Sequence, residues 1–492
     1  MKANLMYKNK DFDINEVKCF DTKTLSSDFE LQHIIDAAAK GDKTIKSVIT
    51  AALFCPLSEK EDIEYRQEAL KDALSNKALV TGLYKLLQAT FERSKNTWGW
   101  LSVTQSPSAT FTRAGDLIDI YTNALMEIRK TADENAGSFK SEAFRNLFAM
   151  LQTELNDEYF REVQTHLSEI KNNNGLLISA DLGSWNQGIN YTLRRKDQDK
   201  FRRHWTFAPS VTISSKDTSG GEDIEKRKDR ALNEAANAMA QASEYLDGFL
   251  KLLCNELAFF VGNINLSEKI SETGMPFCIP DIENRQSKRR MWNDMYDLSL
   301  ALIKNAKVCG NDFDSKDKDI FIITGANQGG KTTFLRSLGQ TQLMTQCGMI
   351  VPAKALIFPI RSNIFSHFRK EEDASMQSGK FDEELGRMDE IADHLTKDSV
   401  ILFNESFAAT NENEGSEIFR QIAQALTENG VEIFAVSHQF KFAEFFKENA
   451  QAQFMRAERL TDGERTFRII EGMPEETAFG EDLYKKVFEK EN

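Results

Sequence analysis

A chain of 492 residues is too long for one ordinary hydrophobic core, and 41% hydrophobic with 28% charged residues is a globular composition, neither disordered nor fibrous. The net charge of −14 argues against a surface that is basic all over, yet it leaves room for a local positive patch that could meet nucleic acid. No run approaches the roughly 20 apolar residues needed to cross a bilayer, the first residues lack the apolar centre of a secretory signal, and six scattered cysteines suit a reducing compartment, so a cytoplasmic protein with no membrane contact is expected.

Up to about residue 260 the apolar spacing predicts long helices, over 53–92 with an interruption at Pro56, over 144–170, and over 224–260. Between the last two, residues 175–215 alternate β-branched and aromatic residues with Gly and Asn, which predicts a few short strands. Thr218, Ser219, Gly220 and Gly221 read as a flexible loop closing this insert. Two helical arms around a small strand-rich tip suggest a lever that reaches a ligand. After Gly262, the positions of Gly274, Pro276 and Pro280 predict irregular chain. Apolar runs at 320–323, 399–403 and 431–436 then alternate with helical segments, which predicts a mainly parallel sheet covered on both faces. The expected fold is multidomain, an all-α core and lever region with a strand-rich clamp insert, followed by an α/β domain. The expected segments are 1–172, 173–222, 223–299 and 300–492.

The segment FIITGANQGGKTTFL fits GxxxxGK[ST] between a strand and a helix. Glycines let successive backbone N–H groups and the helix N-terminus face phosphate oxygens. Gly325, Asn327, Gly329, Gly330, Lys331, Thr332 and Thr333 are therefore candidate nucleotide-binding residues, with Lys331 on the β- and γ-phosphates and Thr332 on Mg²⁺. A second strand ends in Asn404 and Glu405, where such sites place the groups that hold Mg²⁺ and orient water. Glu405 is the candidate base, and Asn404 the candidate metal ligand, an amide where an aspartate is usual. A third strand ends at His438, placed to sense a γ-phosphate. The cofactors expected are ATP and Mg²⁺, and Lys331, Glu405 and His438 are the candidate catalytic residues.

These residues resemble the MutS family of DNA mismatch repair ATPases, a branch of the ABC superfamily. The stretch TGANQGGKTTFLRSLGQTQLMTQCGMIVPA looks like that family's TGPNxxGKSTxxR…GxxVPA segment. NESFAATNENEGSEI is similar to its DE…GTxxxDG run, placing Glu405, Thr410, Glu414 and Gly415 on family positions, with Asn404 replacing the first aspartate. Upstream, Pro56, Leu57, Ile63, Arg66 and Gln67 resemble its PL…I..RQ core pattern, and Thr477 to Gly480 resembles the SYG near its end. The resemblance implies an ABC-type P-loop ATPase working as a homodimer. Ser378, Lys380, Thr410 and Gly415 would then reach the partner's nucleotide. It also implies a short MutS-like protein: the mismatch-binding and connector domains have no counterpart here, and no room remains for a small nuclease domain.

Within the insert, Arg194, Arg195, Lys196, Arg202 and Arg203 cluster beside aromatic residues and form the candidate DNA contact, sequence-independent in character. A solvated basic strand pair is the competing reading, and a lever that grips a protein rather than DNA is the competing function. Arg285, Lys288, Arg289 and Arg290 are expected to make salt bridges instead. No LSGGQ-type signature supports a transporter subunit.

Overall fold

The computed structural model describes residues 1–96, 106–171, 176–194, 212–214, 216–370, 379–460 and 465–474. The chain divides into two compact units. One comprises Met1–Asn4, Ala78–Lys140 and Phe144–Leu257; the other comprises Leu5–Lys77, Ser141–Ala143 and Ala258–Asn492. The partition departs from the four expected segments, because much of the N-terminal helical region belongs with the sheets.

The first unit is helical, with one hairpin. The helix Pro107–Asn135 begins at the Ser106 cap with proline in its first turn, where the missing N–H costs nothing. It packs along Thr218–Thr273, and Tyr121 donates to Asp247 at 2.8 Å. The expected continuous helix over 144–170 is two helices, Glu142–Glu154 and Asp157–Lys171. Asn156 divides them: its side chain accepts from the Tyr159 amide at 2.8 Å, and Asp157 and Glu158 follow in the first turn, where negative charge is favoured.

The expected loop at residues 218–221 is instead the first turn of the helix Thr218–Thr273. Asp217 caps it, accepting from the Gly220 amide at 2.9 Å, so the glycine pair lies inside a capped helix. Among the described residues this helix holds the one window with the length and apolar composition of a membrane span, and 78% of that window is buried within the protein, the mark of a core helix. The strands β1 (Leu177–Leu182) and β2 (Gly188–Arg194) pair antiparallel.

The second unit is mixed α/β. Its larger sheet runs in the order β12-β11-β6-β10-β9-β8, where β6 is Ile320–Thr324, β8 Ile364–Phe368, β9 Val400–Asn404, β10 Glu432–Val436, β11 Ala452–Arg459 and β12 Arg465–Glu471. All neighbours are parallel except β12, an antiparallel edge. The three predicted strands are β6, β9 and β10; β6 and β10 are buried along their whole length and β9 over its first four residues. A second sheet, unforeseen from the sequence, runs β3-β7-β4-β5 with β3 at Asp281–Glu283, β4 at Arg290–Met295, β5 at Asn311–Ser315 and β7 at Ala355–Pro359. Two of its strands precede residue 300, so that expected boundary falls inside a sheet.

The run predicted over 53–92 is divided among Lys43–Leu53, Lys60–Ser75 and Lys77–Asn96. Its middle part is built into the α/β unit. Arg66, fully buried, donates to the carbonyls of Met6 and Cys347 at 3.1 Å each, and Gln67 donates to Pro280 O at 3.0 Å. Leu57 exchanges two hydrogen bonds with Gln346. The PL…I..RQ pattern is thus a seam: its polar members satisfy buried carbonyls that would otherwise be left unpaired.

Gly262 marks close packing, not a change of texture. A Cβ there would come within 2.8 Å of Ile49, so the helix must be bare at that point to meet Lys43–Leu53. The chain break comes at Gly274, whose φ of +73° ends the helix. Arg290 and Arg361 both ion-pair with the buried Glu432, and Lys288 pairs with Asp319 at 2.6 Å. That part of the 285–290 basic group is occupied by salt bridges, as the sequence suggested.

Candidate phosphate and metal site

The register of the large sheet determines which loops meet. Val436 pairs with Ile323 and with Asn404, Arg456 with Thr324, and Phe368 with Asn404. The carboxyl ends of β6, β8, β9 and β10 therefore form one edge, and the residues that follow them are Gly325, Arg369, Glu405 and Ser437. In open parallel sheets this edge is where ligands bind.

The glycine-rich loop between β6 and the helix Lys331–Gln346 needs its glycines. Gly325 and Gly330 have φ of +110° and +92°. A Cβ on Gly325 would lie 2.9 Å from the Ala457 amide, and one on Gly329 would lie 2.7 Å from the Ala457 Cβ. The loop is pressed against β11 too tightly for side chains. Lys331 is buried and donates to the Gly325 and Ala326 carbonyls at 2.8 and 2.9 Å. Burial pushes its pKa down to about 8, with the Glu405 carboxylate opposing. In this state the lysine fills its own cradle with carbonyl partners.

Thr332 Oγ1 donates to Asn404 Oδ1 at 3.1 Å, which brings the two candidate metal ligands together. Both are neutral oxygens, an arrangement that suits Mg²⁺ retaining several waters and taking its negative partners from phosphate. Glu405 lies beside them with φ of +55°, its amide donating to Val436 O at 2.9 Å. His438 Nε2 sits 3.1 Å from Glu405 Oε1, and the Arg369 guanidinium 4.0 Å from Oε2. The hydrogen bond from His438 lowers the Glu405 pKa against the effect of burial, with the charges of His438, Lys331 and Arg369 adding to it. His438 thus touches the candidate base in this structure.

A cavity of about 560 Å³ opens from this edge. Asn327, Gly329, Gly330, Lys331, Thr332, Thr333 and Glu405 supply one part of its lining, and Lys304, Lys307, Val308, Cys309, Asn311 and Phe467 supply a second wall, with Phe467 against Gly330. Asn311 is fixed by the Ile469 amide at 2.7 Å, and Phe467 has φ of +61°. Sequence reasoning missed this second wall. It comes from the end of the helix Leu298–Lys304, the loop that follows it, β5 and the antiparallel edge strand β12, segments that carry no local motif. Arg369 was missed as well, although a basic residue directly after an apolar strand run was available as a signal.

Other expected residues are placed differently. Thr410 donates to Glu414 at 2.9 Å, and Asn411 caps the helix Glu412–Glu428. Gly415 is buried against its own chain, where a Cβ would lie 2.3 Å from Phe407 O. Lys380 is the first residue of the helix Lys380–His394. Arg194 is exposed and donates to Ser179 Oγ at 2.8 Å. Ser378, Arg195, Lys196, Arg202, Arg203 and residues 477–480 lie outside the described residues.

The fold and the site together define the class: a helical region joined to a mixed α/β unit whose glycine-rich loop sits at the carboxyl edge of a parallel sheet. A family model described as the MutS2 N-terminal domain matches residues 58–273, and one described as MutS domain V matches residues 321–480. The chain belongs to the MutS family. It is 26% identical over 288 residues to an endonuclease MutS2 of Ligilactobacillus salivarius, covering 56% of this chain and 35% of the relative. It is 31% identical over 183 residues to an endonuclease MutS2 of Lacticaseibacillus casei, covering 36% and 23%. A DNA mismatch repair protein MutS of Leptospira interrogans is 29% identical over 181 residues, covering 33% and 21%. The chain spans about a third or less of the length of these curated relatives.

Proposed function

We propose that this protein is a MutS-type P-loop ATPase of the cytoplasm that acts on DNA as an ATP-gated homodimer. The observation that carries the reading is the convergence at one sheet edge of the glycine loop, the Thr332–Asn404 contact and the Glu405–His438 pair. The phosphate chain of ATP would replace the two carbonyls now held by Lys331. Thr332 and Asn404 would hold Mg²⁺, whose role is to offset phosphate charge. Glu405 would orient water, with His438 and Arg369 fixing its two oxygens. The cavity has room for a nucleoside, and its second wall offers Val308, Cys309 and the Phe467 ring beside the polar Lys304, Lys307 and Asn311.

The family relationship supports DNA as the macromolecular partner, in repair or recombination, and the 194–203 cluster is the proposed contact, as part of a clamp at 173–222. Helices on either side would carry ATP-driven closure of the two nucleotide sites to that clamp, with Ser378, Lys380, Thr410 and Gly415 completing the partner's site. The test is an ATPase assay with and without duplex, mismatched and branched DNA. Reversing the charge of Arg194, Arg195 and Arg202 should abolish salt-sensitive DNA binding while leaving basal hydrolysis intact. Stimulation by no DNA, with hydrolysis intact, would move the assignment to a protein partner.

A further inference from the structure

Behind Glu405 lies a set of buried contacts that the family motifs do not contain. Glu405 and Phe407 both hold left-handed backbone, at φ of +55° and +58°, on either side of Ser406. Two departures of this kind within three residues persist only where surrounding groups impose them. Phe407 O is held by Gln439 Nε2 at 3.0 Å and the Glu405 amide by Val436. Ser406 is held by His367: its Oγ lies 2.6 Å from His367 O and 2.7 Å from His367 Nδ1. The imidazole also lies parallel to the Phe407 ring, with centroids 5.2 Å apart.

His367, fully buried, is the next-to-last residue of β8. Burial pushes its pKa down to about 4, with Arg387 acting in the same direction, so the ring is neutral. A neutral imidazole has one N–H. The Glu384 carbonyl, 3.0 Å from Nε2, can only accept, so the proton is on Nε2, and the single Ser406 hydroxyl proton is shared between two acceptors, His367 O and Nδ1. Glu384 belongs to the helix Lys380–His394, the element that directly follows residues 371–379. An unbroken chain of contacts therefore runs from that helix through Glu384 O, His367 and Ser406 to the turn that carries Glu405.

We propose that His367, with Ser406, is a positioning residue that holds the turn bearing Glu405 in its working orientation and links that orientation to the helix Lys380–His394. The inference rests on the ATPase reading above. Neither residue reaches the phosphate cavity, so their loss should slow hydrolysis without weakening nucleotide binding.

The test compares wild type, His367→Phe, Ser406→Ala, Glu405→Gln and the double variant His367→Phe/Glu405→Gln. Single-turnover hydrolysis and ATP affinity are measured for each. His367→Phe keeps the ring stack and loses both ring hydrogen bonds, leaving the Ser406 bond to the carbonyl of residue 367, while Ser406→Ala removes the hydroxyl and serves where the first variant fails to fold. The expected result is a fall in rate on the order of tenfold for either variant, with ATP affinity and thermal midpoint within twofold and a few degrees of wild type. No further fall is expected when His367→Phe is added to Glu405→Gln, because the orientation it controls no longer matters. Rates within twofold of wild type, or a loss that persists in full in the Glu405→Gln background, or one matched by weaker ATP binding, would overturn the proposal. A wild type that binds ATP but does not hydrolyse it overturns the ATPase reading itself, and is distinguished by the silence of the unmutated protein.

Discussion

Strands β6 and β1 are both short runs, both expected from the sequence, that lead into a turn containing glycine and left-handed backbone, yet only around β6 does the sequence say what the strand meets. In β6 every residue is buried, both neighbours are parallel, and the following loop is held against Ala457. In β1 the last three residues are exposed, there is one partner strand, and the turn presents Trp185 at 97% exposure. The difference teaches where a local pattern carries global meaning. A buried parallel strand has one possible surrounding, so its end, and any glycine loop after it, is fixed in place. A two-stranded hairpin is marginal alone, and its sequence says little about what it meets.

The contrast yields a graded series of tests. The largest effect is expected inside the sheet. Glu432 is buried between Arg290 and Arg361, and although burial alone would raise its pKa, the two guanidiniums hold it well below the usual range. Glu432→Gln should cost about 3–5 kcal/mol in denaturant unfolding, because it leaves two buried cations without their counter-charge. A depressed folded pKa means the charge contributes above the ordinary carboxylate range, so the gap between wild type and variant should close as the pH falls through the acid range below it. A cost below about 1 kcal/mol would mean the triad behaves as a surface pair.

Next comes the loop. Gly329→Ala must displace Ala457 or the loop itself, and ATP affinity should fall by about two orders of magnitude, or 2.7 kcal/mol; calorimetry giving unchanged affinity would show that the loop yields freely. Lys331 offers a pH test of the same contact. With a free-state pKa of about 8, it binds phosphate as a cation only after taking up a proton once the pH exceeds that value. ATP affinity should therefore be flat below about pH 8 and fall by about tenfold per pH unit above it, a break that Lys331→Met should lack.

Asn404→Asp should tighten Mg²⁺ in the presence of ADP by roughly tenfold, since it adds the negative charge that the site lacks. Last, Trp185→Ala on the hairpin should change stability by no more than about 0.5 kcal/mol. A larger loss would mean that the hairpin is covered in solution and would erase the contrast with β6.

The same logic explains what the sequence showed and what it concealed. The loop at 325–332, the strand ending at Asn404 and Glu405, and His438 are contiguous patterns with a physical reason behind each residue. The turn at Asn156 and the helix start at Asp217 were legible in principle, since both are polar caps with suitable neighbours, but a glycine pair and an unbroken apolar period outweighed them. His367 was not legible, and Arg369 was legible only as a basic residue after an apolar run. Their relation to Glu405 exists only through the pairing of Phe368 with Asn404, a register between strands that are distant in sequence. The second cavity wall has the same origin, because Asn311 and Phe467 meet through two sheets. Arg66 and Gln67 stood out as a pattern, but only the carbonyls they satisfy explain why the N-terminal helices belong to the α/β unit.

The central claim is that Glu405, held between His438 and Arg369, serves ATP hydrolysis at this sheet edge. The most direct measurement is the steady-state release of phosphate from ATP by the wild type and by Glu405→Gln, with ATP affinity determined in parallel. The account predicts hydrolysis by the wild type, a fall of about a hundredfold or more in the variant, and unchanged or tighter ATP binding. Equal rates for the two proteins, or ATP binding lost together with hydrolysis, would contradict it.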